Sequence, residues 1–354
     1  MTVLQIAVVG AGLIGQVHIR TINSDDGCCL QAIVDPGDNA AELAATYQVP
    51  HFDSLQALLD SQRPDAVIIA TPNALHVEQT RQCLSVGIPV LLEKPVATDH
   101  ASGLVLAEEV KRCGVPVLVG HHRAHSDIMS RACETIASGR LGRLVSVMGS
   151  AQFYKPADYF AQAPWRSQSG GGPILINMIH EVHNLRMLMG EITHVQAMAS
   201  RAMRQFEVED TVGINLRFAS GALGTFLLSD TAASAASWEL TSGENPAYPQ
   251  QRDENCYWIA GTRGSLSVPT LTTRFHPVEQ ESSWWLRMNE AVRAREQVEP
   301  LSRQLAHFLE VVRGETVPRV SVEDGLANLR VVEAISLAST SARMISLDQQ
   351  PIRP

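Results

Sequence analysis

Three groups of residues in this 354-residue chain suit one another chemically: the glycine turn Gly10-Ala11-Gly12-Leu13-Ile14-Gly15, the tripeptide Glu93-Lys94-Pro95, and Gly170-Gly171-Gly172 leading to His180. A glycine turn that opens a helix offers free backbone N–H groups to phosphates. A lysine ammonium is a compact donor whose pKa responds to burial, so it can hold and polarise a hydroxyl. An imidazole titrates near neutrality and can accept or return that hydroxyl's proton. The three together point to a dinucleotide, an amine beside it and a proton acceptor, the parts needed for hydride transfer from an alcohol.

The elements around the glycine turn decide whether it means anything. Residues 3–9 form a short apolar run rich in β-branched side chains, and residues 13–22 change to helical periodicity, so the turn joins a strand to a helix. In that setting Gly10 permits the tight turn, Gly12 lets a pyrophosphate approach, Gly15 allows close helix packing, and Leu13 and Ile14 open the helix beside the ligand. A second apolar run, residues 30–34, ends in Asp35. Its carboxylate can accept from an adenosine ribose diol and would repel a 2′-phosphate, which favours NAD over NADP.

Beyond Asp35 the strand–helix rhythm repeats. Residues 65–70, 88–92 and 116–120 read as buried parallel strands, and residues 73–86 and 99–113 as crossover helices. Ligands of such sheets bind beyond the carboxyl ends of the strands, where Thr71-Pro72-Asn73 and Glu93-Lys94 fall. Asn73 serves equally as a helix cap, and His76 as a neighbour of the cofactor or a packed side chain. Lys94 stands out because only Lys94, Lys111 and Lys155 are lysines among 28 basic residues, and Pro95 biases it toward an extended backbone at the strand end.

After Gly120 the alternation breaks down. Residues 126–137 read as a helix, residues 144–153 as a strand leading to Tyr154, and 195–203, 210–218 and 222–228 as further strands. Residues 301–313 and 322–343 read as amphipathic helices. Pro173 is placed to start a helix over residues 174–189. On a regular helix Asn177, His180 and Asn184 share one face, as do Ile176, His180 and His183. Tyr154, Trp165 and Arg166 are further pocket candidates: a Trp can stack on a ring, an Arg can bind a diol or carboxylate, and each also suits packing. His180 and His183 lack a third ligand at recognisable spacing, so no metal is expected.

In order and spacing, the glycine turn, Thr71-Pro72-Asn73, Glu93-Lys94-Pro95, Gly120-His121-His122-Arg123, Gly170-Gly171-Gly172 to His180, and Ile259-Ala260-Gly261-Thr262-Arg263-Gly264 resemble the glucose-fructose oxidoreductase, inositol dehydrogenase and MocA family. The resemblance implies an α/β protein with an N-terminal Rossmann domain on a parallel sheet, and a C-terminal α/β domain whose open, largely antiparallel sheet mediates oligomerisation. Placed on this chain, the domains are 1–121 for NAD binding, 122–345 for substrate and oligomerisation, and a 346–354 tail. The resemblance further implies that His180 takes the substrate proton, that His122 lies near nicotinamide, and that Trp165-Arg166 lies near cofactor and substrate. Relatives carry an aspartate four residues before the histidine and another three after it; here those positions are Ile176 and His183. Asn177 or His183 is left to orient the imidazole and meet substrate.

Composition sets the remaining expectations. A formal net charge of −9 with no dense Lys/Arg tract argues against a nucleic-acid surface, and no membrane segment is evident. The first strand starts almost at Met1, and six scattered cysteines lack a disulfide or CxxC pattern, so a cytoplasmic, reduced protein is expected. The expected activity is NAD-dependent oxidation of a secondary alcohol on a sugar, cyclitol or related cyclic diol by a homodimer or homotetramer. The alternatives are a nucleotide-binding regulator without turnover and an enzyme using tightly held NAD for bond cleavage.

Overall fold

The structure, a computed structural model, describes residues 2–296 and 298–347. The expected 346–354 tail lies largely outside them. The chain divides into two compact units, residues 1–125 with 300–329, and residues 126–299 with 330–354.

The first unit is a six-stranded parallel sheet. In chain order it contains β1 (Leu4–Val9), α1 (Leu13–Asn23), β2 (Cys28–Val34), α2 (Ala40–Tyr47), β3 (His51–Phe52), α3 (Leu55–Ser61), β4 (Ala66–Ile69), α4 (His76–Ser85), β5 (Val90–Glu93), α5 (His100–Cys113) and β6 (Val117–Gly120). The strands lie in the order β3-β2-β1-β4-β5-β6, reversing direction of travel at β1. That reversal opens a crevice at the carboxyl ends of β1 and β4, the usual ligand position in such sheets. All residues of β4, β5 and β6 are buried, which explains their uninterrupted apolar runs. Asp99 caps α5 by accepting from the Ser102 N–H at 2.8 Å, and Gly114 ends the helix in the left-handed conformation.

Residues 300–329, expected in the second domain, belong to this first unit. An amphipathic helix shows that it needs a core to cover, not which core. Helix Pro300–Val312 buries Leu305, Phe308 and Leu309, and Arg313 just beyond it donates to the Gly27 carbonyl at 3.2 Å. The Val119 N–H donates to the Val320 carbonyl at 3.0 Å, tying the segment to β6.

The second unit is built on a nine-stranded mixed sheet. Its elements are α6 (Asp127–Ala137), β7 (Leu144–Gln152), α7 (Ala157–Ala161), α8 (Ile179–Met189), β8 (Ile192–Ser200), β9 (Thr211–Phe218), β10 (Leu223–Ser229), α9 (Trp238–Thr241), β11 (Tyr257–Gly261), β12 (Gly264–Val268), β13 (Thr272–Phe275), β14 (Asn289–Val292) and β15 (Ile345–Ser346). The order is β14-β13-β12-β11-β7-β10-β9-β8-β15, antiparallel except for the β10–β7 pair. One sheet face packs Val147, Ile214, Phe226 and Ile259 into a core with Ile179, Val182 and Leu185 of α8. The other face leaves Met148, Met198, Leu223 and Leu227 exposed.

The helix expected over residues 174–189 is not regular. Ile174–Met178 form a π-helical turn, and α8 follows. Among the described residues no helix is long and apolar enough to cross a membrane.

Candidate active site

In the first unit the glycine turn has the geometry a dinucleotide needs. Gly10 adopts φ 100°, and a Cβ there would meet the Ala70 carbonyl oxygen at 2.5 Å. A Cβ on Gly15 would lie 1.9 Å from the Gly10 oxygen, so only glycine lets α1 start this close to the turn. A Cβ on Gly12 would meet nothing within 4 Å, which leaves space beside the first N–H groups of α1.

Asp35 at the end of β2 is tied to the same turn. Its Oδ2 accepts from the Ala11 N–H and its Oδ1 from the Gly37 N–H, both at 2.7 Å. A cavity of about 510 Å³ opens here, lined by Ala11, Gly12, Asp35, Asp38 and Glu42 among others. The room beside Gly12 at the start of α1 suits a pyrophosphate, and the carboxylates of Asp35, Asp38 and Glu42 suit an unphosphorylated ribose diol. The residues present therefore fit the adenosine half of NAD, and the acidic wall opposes a 2′-phosphate.

A second cluster sits at the carboxyl ends of β4, β5 and β6. Glu93 is 6% exposed and its Oε1 hydrogen-bonds the His18 Nε2 at 2.8 Å, while its Oε2 accepts the Lys94 N–H at 3.2 Å. Burial pushes the Glu93 carboxyl up, but the hydrogen bond and charge of His18, with Lys94 and His122, outweigh it and hold it below its ordinary value. Lys94 is half-buried and its bond to Pro95 is cis. His122, also half-buried, is pushed down to about 3, by burial first and then by Arg123, so its ring is neutral at pH 7. The structure thus gathers Glu93, Lys94 and His122, and adds His18. His18 carried no sequence signal beyond its place one turn after Gly15.

His76 takes the packed alternative. It is 1% exposed, with Nδ1 2.7 Å from the Pro95 carbonyl and Nε2 2.9 Å from that of Thr71, so its ring braces the segments after β4 and β5. The capping alternative for Asn73 is not realised. The Asn73–Leu75 turn is 3-10, with Pro72 and Leu75 at the cap positions preceding it and α4.

In the second unit, Gly170 and Gly172 adopt φ 89° and 82°, and a Cβ on Gly171 would lie 2.5 Å from the Trp165 carbonyl oxygen. The turn delivers the chain into the π-helical segment, where Glu209 Oε1 accepts the Ile174 N–H at 2.8 Å. Burial raises the Glu209 carboxyl above its ordinary value. The single face expected for Asn177, His180 and Asn184 divides. Asn184 is fully buried and donates to the Tyr257 hydroxyl at 2.9 Å, and that hydroxyl donates in turn to Glu181. A π turn uses more residues per revolution than an α turn, which offsets Asn177 from the face of α8. His180 is half-buried and His183 is 6% exposed.

Asn177 instead accepts from Lys155 Nζ at 2.7 Å. Around this pair lie Tyr159, whose ring carries Arg166 at 3.9 Å, and Arg204, which reaches the Tyr154 ring at 5.3 Å and Asp230 at 2.8 Å. Trp165 adjoins Arg166, with the guanidinium 5.9 Å from its ring. Tyr154, Trp165, Arg166 and Asn177 are therefore brought together. The sequence reading missed Lys155, although its rarity was the signal that singled out Lys94.

These two constellations lie on a dinucleotide-type parallel sheet and on an open mixed sheet carrying a Gly-Gly-Gly-to-His helix, the pairing that defines a class of two-domain oxidoreductases. Residues 4–121 match the model described as "Oxidoreductase family, NAD-binding Rossmann fold", and residues 129–267 match the "GFO/IDH/MocA C-terminal domain". The chain belongs to the Gfo/Idh/MocA family of oxidoreductases, and its first unit is an NAD-binding Rossmann domain. It is similar to scyllo-inositol 2-dehydrogenase (NAD(+)) of Bacillus subtilis (strain 168), 26% identical, with 97% of this chain and 96% of that protein covered. It is also similar to 2,7-anhydro-N-acetylneuraminate hydratase of Escherichia coli (strain K12), 27% identical over 75% of this chain and 68% of that protein. Among solved structures, the WlbA dehydrogenase from Bordetella pertussis in complex with NADH and UDP-GlcNAcA superposes with a TM-score of 0.79 at 25% identity, covering 99% and 100% of the two chains.

Proposed function

We propose that the protein is an NAD-dependent dehydrogenase oxidising a secondary alcohol of a sugar, cyclitol or related cyclic diol. The observation that carries this reading is Lys94, half-buried at the end of β5 beside the buried Glu93, in a unit whose glycine turn and acidic cavity suit NAD. NAD, when bound, supplies the hydride acceptor. Asp35 holds the adenosine ribose, and the turn from Gly10 to Gly15 faces the pyrophosphate. Thr71, Glu93 and the neutral His122 border the nicotinamide end. Lys94 donates to the substrate hydroxyl and keeps it oriented. As the carbinol C–H bond breaks and its electron pair leaves with the hydrogen, His180 takes the hydroxyl proton and the carbonyl forms. His183 steadies the imidazole.

The similarity to a hydratase supports a second reading, in which NAD is reduced and reoxidised within one turnover. A screen of polyols, aldoses, sugar acids and cyclic diols with NAD separates the two. Stoichiometric NADH accumulation supports net oxidation; substrate loss without it supports the second reading; neither, across the screen, defeats both. The exposed apolar sheet face with Met148, Met198, Leu223 and Leu227 supports a homodimer or homotetramer, and sedimentation at micromolar concentration tests it.

A further inference from the structure

Lys155 sits in the second unit with only 9% of its surface exposed, yet its ammonium is incompletely used. Of its three N–H donors, one goes to Asn177 Oδ1 at 2.7 Å, and its one ion-pair partner among the described residues, Asp230, lies 3.9 Å away, beyond hydrogen-bonding reach. Asp230 is turned to Arg204 instead, whose Nε donates to it at 2.8 Å. The rest of the Lys155 surroundings is aromatic, with the Tyr159 ring at 4.8 Å and the Phe153 ring at 5.4 Å. Burying an ammonium without filling its donors is costly, so such an arrangement persists where a ligand completes it.

A second cation shares the same ring. The Arg166 guanidinium stands 3.9 Å from the Tyr159 centroid, donates through Nη1 to the Tyr159 carbonyl at 2.6 Å, and has no ion pair among the described residues. The strongest charges acting on Lys155 are the carboxylates of Asp230 and Glu239, then Arg166 and Arg204. Asp210, a third carboxylate of the cluster, accepts through Oδ2 the backbone N–H groups of Met203 and Arg204, both at 3.0 Å, and supplies Lys155 no oxygen. What the cluster lacks is acceptors: among the described residues Lys155 keeps unfilled donors and Arg166 meets no carboxylate, and the two oxygens of one carboxylate can supply both.

We propose that Lys155 and Arg166, with Asn177 between Lys155 and the His180 helix, form an anion subsite that selects substrates carrying a carboxylate. This rests on the dehydrogenase reading and narrows its substrate class to hydroxy acids, such as sugar acids or cyclic diols bearing a carboxyl group. Lys155 gives its free N–H donors to one carboxylate oxygen, and the Arg166 guanidinium meets the other. Asn177 fixes the ammonium and links the anion's position to the helix that presents His180. The secondary hydroxyl to be oxidised then belongs to the same molecule as the carboxylate.

The test measures binding, so that it stands apart from turnover. The NADH-loaded protein is titrated calorimetrically with matched pairs: glucuronate and glucose, galacturonate and galactose, and a cyclic dihydrodiol with and without a carboxylate. At least one acid is expected to bind about tenfold or more tightly than its neutral partner. Lys155→Met is expected to remove that ratio by weakening the acid far more than its neutral partner, and Lys155→Arg to restore part of it. Should Lys155→Met fail to fold, Arg166→Gln is expected to reduce the ratio. A panel in which no acid exceeds its neutral partner, including one in which nothing binds, overturns the subsite, as does a ratio unchanged in folded Lys155→Met and in Arg166→Gln. Absence of NADH formation from bound acids counts against the dehydrogenase reading alone.

Discussion

His18 on α1 and Glu93 at the end of β5 are 75 residues apart in sequence and hydrogen-bonded at 2.8 Å in the interior of the first unit. The pair fixes the carboxylate that accepts the Lys94 N–H, so the conformation at Lys94 depends on a side chain from the opposite end of the Rossmann sequence. Removing the hydrogen-bond partner of a buried carboxylate leaves it unsatisfied and costs about 1–3 kcal/mol. His18→Leu is therefore expected to lower stability by about that amount in urea unfolding, whereas the paired change His18→Leu with Glu93→Leu recovers part of the loss. Equal destabilisation by both would make packing, not charge, the basis of the contact.

The pH dependence of that pair has a definite sign. The folded Glu93 carboxyl is held below its ordinary value, chiefly because the hydrogen bond and charge of His18 outweigh burial. The unfolded chain then binds the proton more readily, and the stabilisation is fully present above the unfolded carboxyl pKa of about 4.3 and lost as pH falls through the folded value. Glu93→Gln removes that contribution, so acid unfolding followed by circular dichroism is expected to begin at higher pH in this variant than in the unmodified protein. An unchanged acid midpoint would remove Glu93 from the acid response.

Asp35 does two tasks, since it holds the Ala11 and Gly37 N–H groups at 2.7 Å and faces the acid-lined cavity. Asp35→Ser is expected to weaken NAD binding by about ten- to a hundredfold, the range of a lost charge-assisted hydrogen bond, and to narrow the preference over NADP. Calorimetric titration of both cofactors checks this. Tighter binding of NADP than NAD by the unmodified protein would reverse the reading of the acidic wall.

Most of the Rossmann unit was legible because buried strands are continuous apolar runs and its turn residues are local. Asp99 starts α5 and Gly114 ends it, and both signals lie in the adjacent sequence. Residues 36–62 are hard to read from sequence because β3 has two residues and α2 and α3 only eight and seven, too short for periodicity to show. The π turn at Ile174–Met178 was illegible for another reason. Its side-chain pattern also suits an α-helix, and what accompanies it is remote, namely the Glu209 carboxylate on the Ile174 N–H. Lys155 was visible as a rare residue type, but its partners Asn177, Asp230 and Tyr159 come together only through the fold.

Lys94 is expected to act on turnover rather than on cofactor affinity, because the groups lining the adenosine cavity do not include it. Lys94→Ala is expected to keep NAD binding within a few-fold and to lower kcat by at least about a hundredfold, the lower range for a positioned proton-transfer group. Stopped-flow measurement of NADH formation checks this; near-normal turnover would move the hydroxyl contact to another residue.

His180 carries the proton in the proposed reaction, and its neighbours make a specific pH signature. In alcohol oxidation the imidazole must be neutral to accept a proton, so the rate is expected to rise with pH through an imidazole-type ionisation. Ile176, one turn before His180, supplies no negative charge to stabilise an imidazolium. Ile176→Asp is therefore expected to shift the rising limb to higher pH, since a nearby carboxylate favours the charged ring. His183→Ala is expected to raise KM or shift the limb slightly, while His180→Ala removes most of the oxidation and the limb with it. The acid subsite contributes a falling limb of its own. Burial pushes Lys155 down to about 8, so kcat/KM for a carboxylate substrate is expected to decline above that pH, and the decline to be absent in Lys155→Met. A rising limb that survives in a turning-over His180→Ala variant would assign the proton to a different group, even with NAD and Lys94 established.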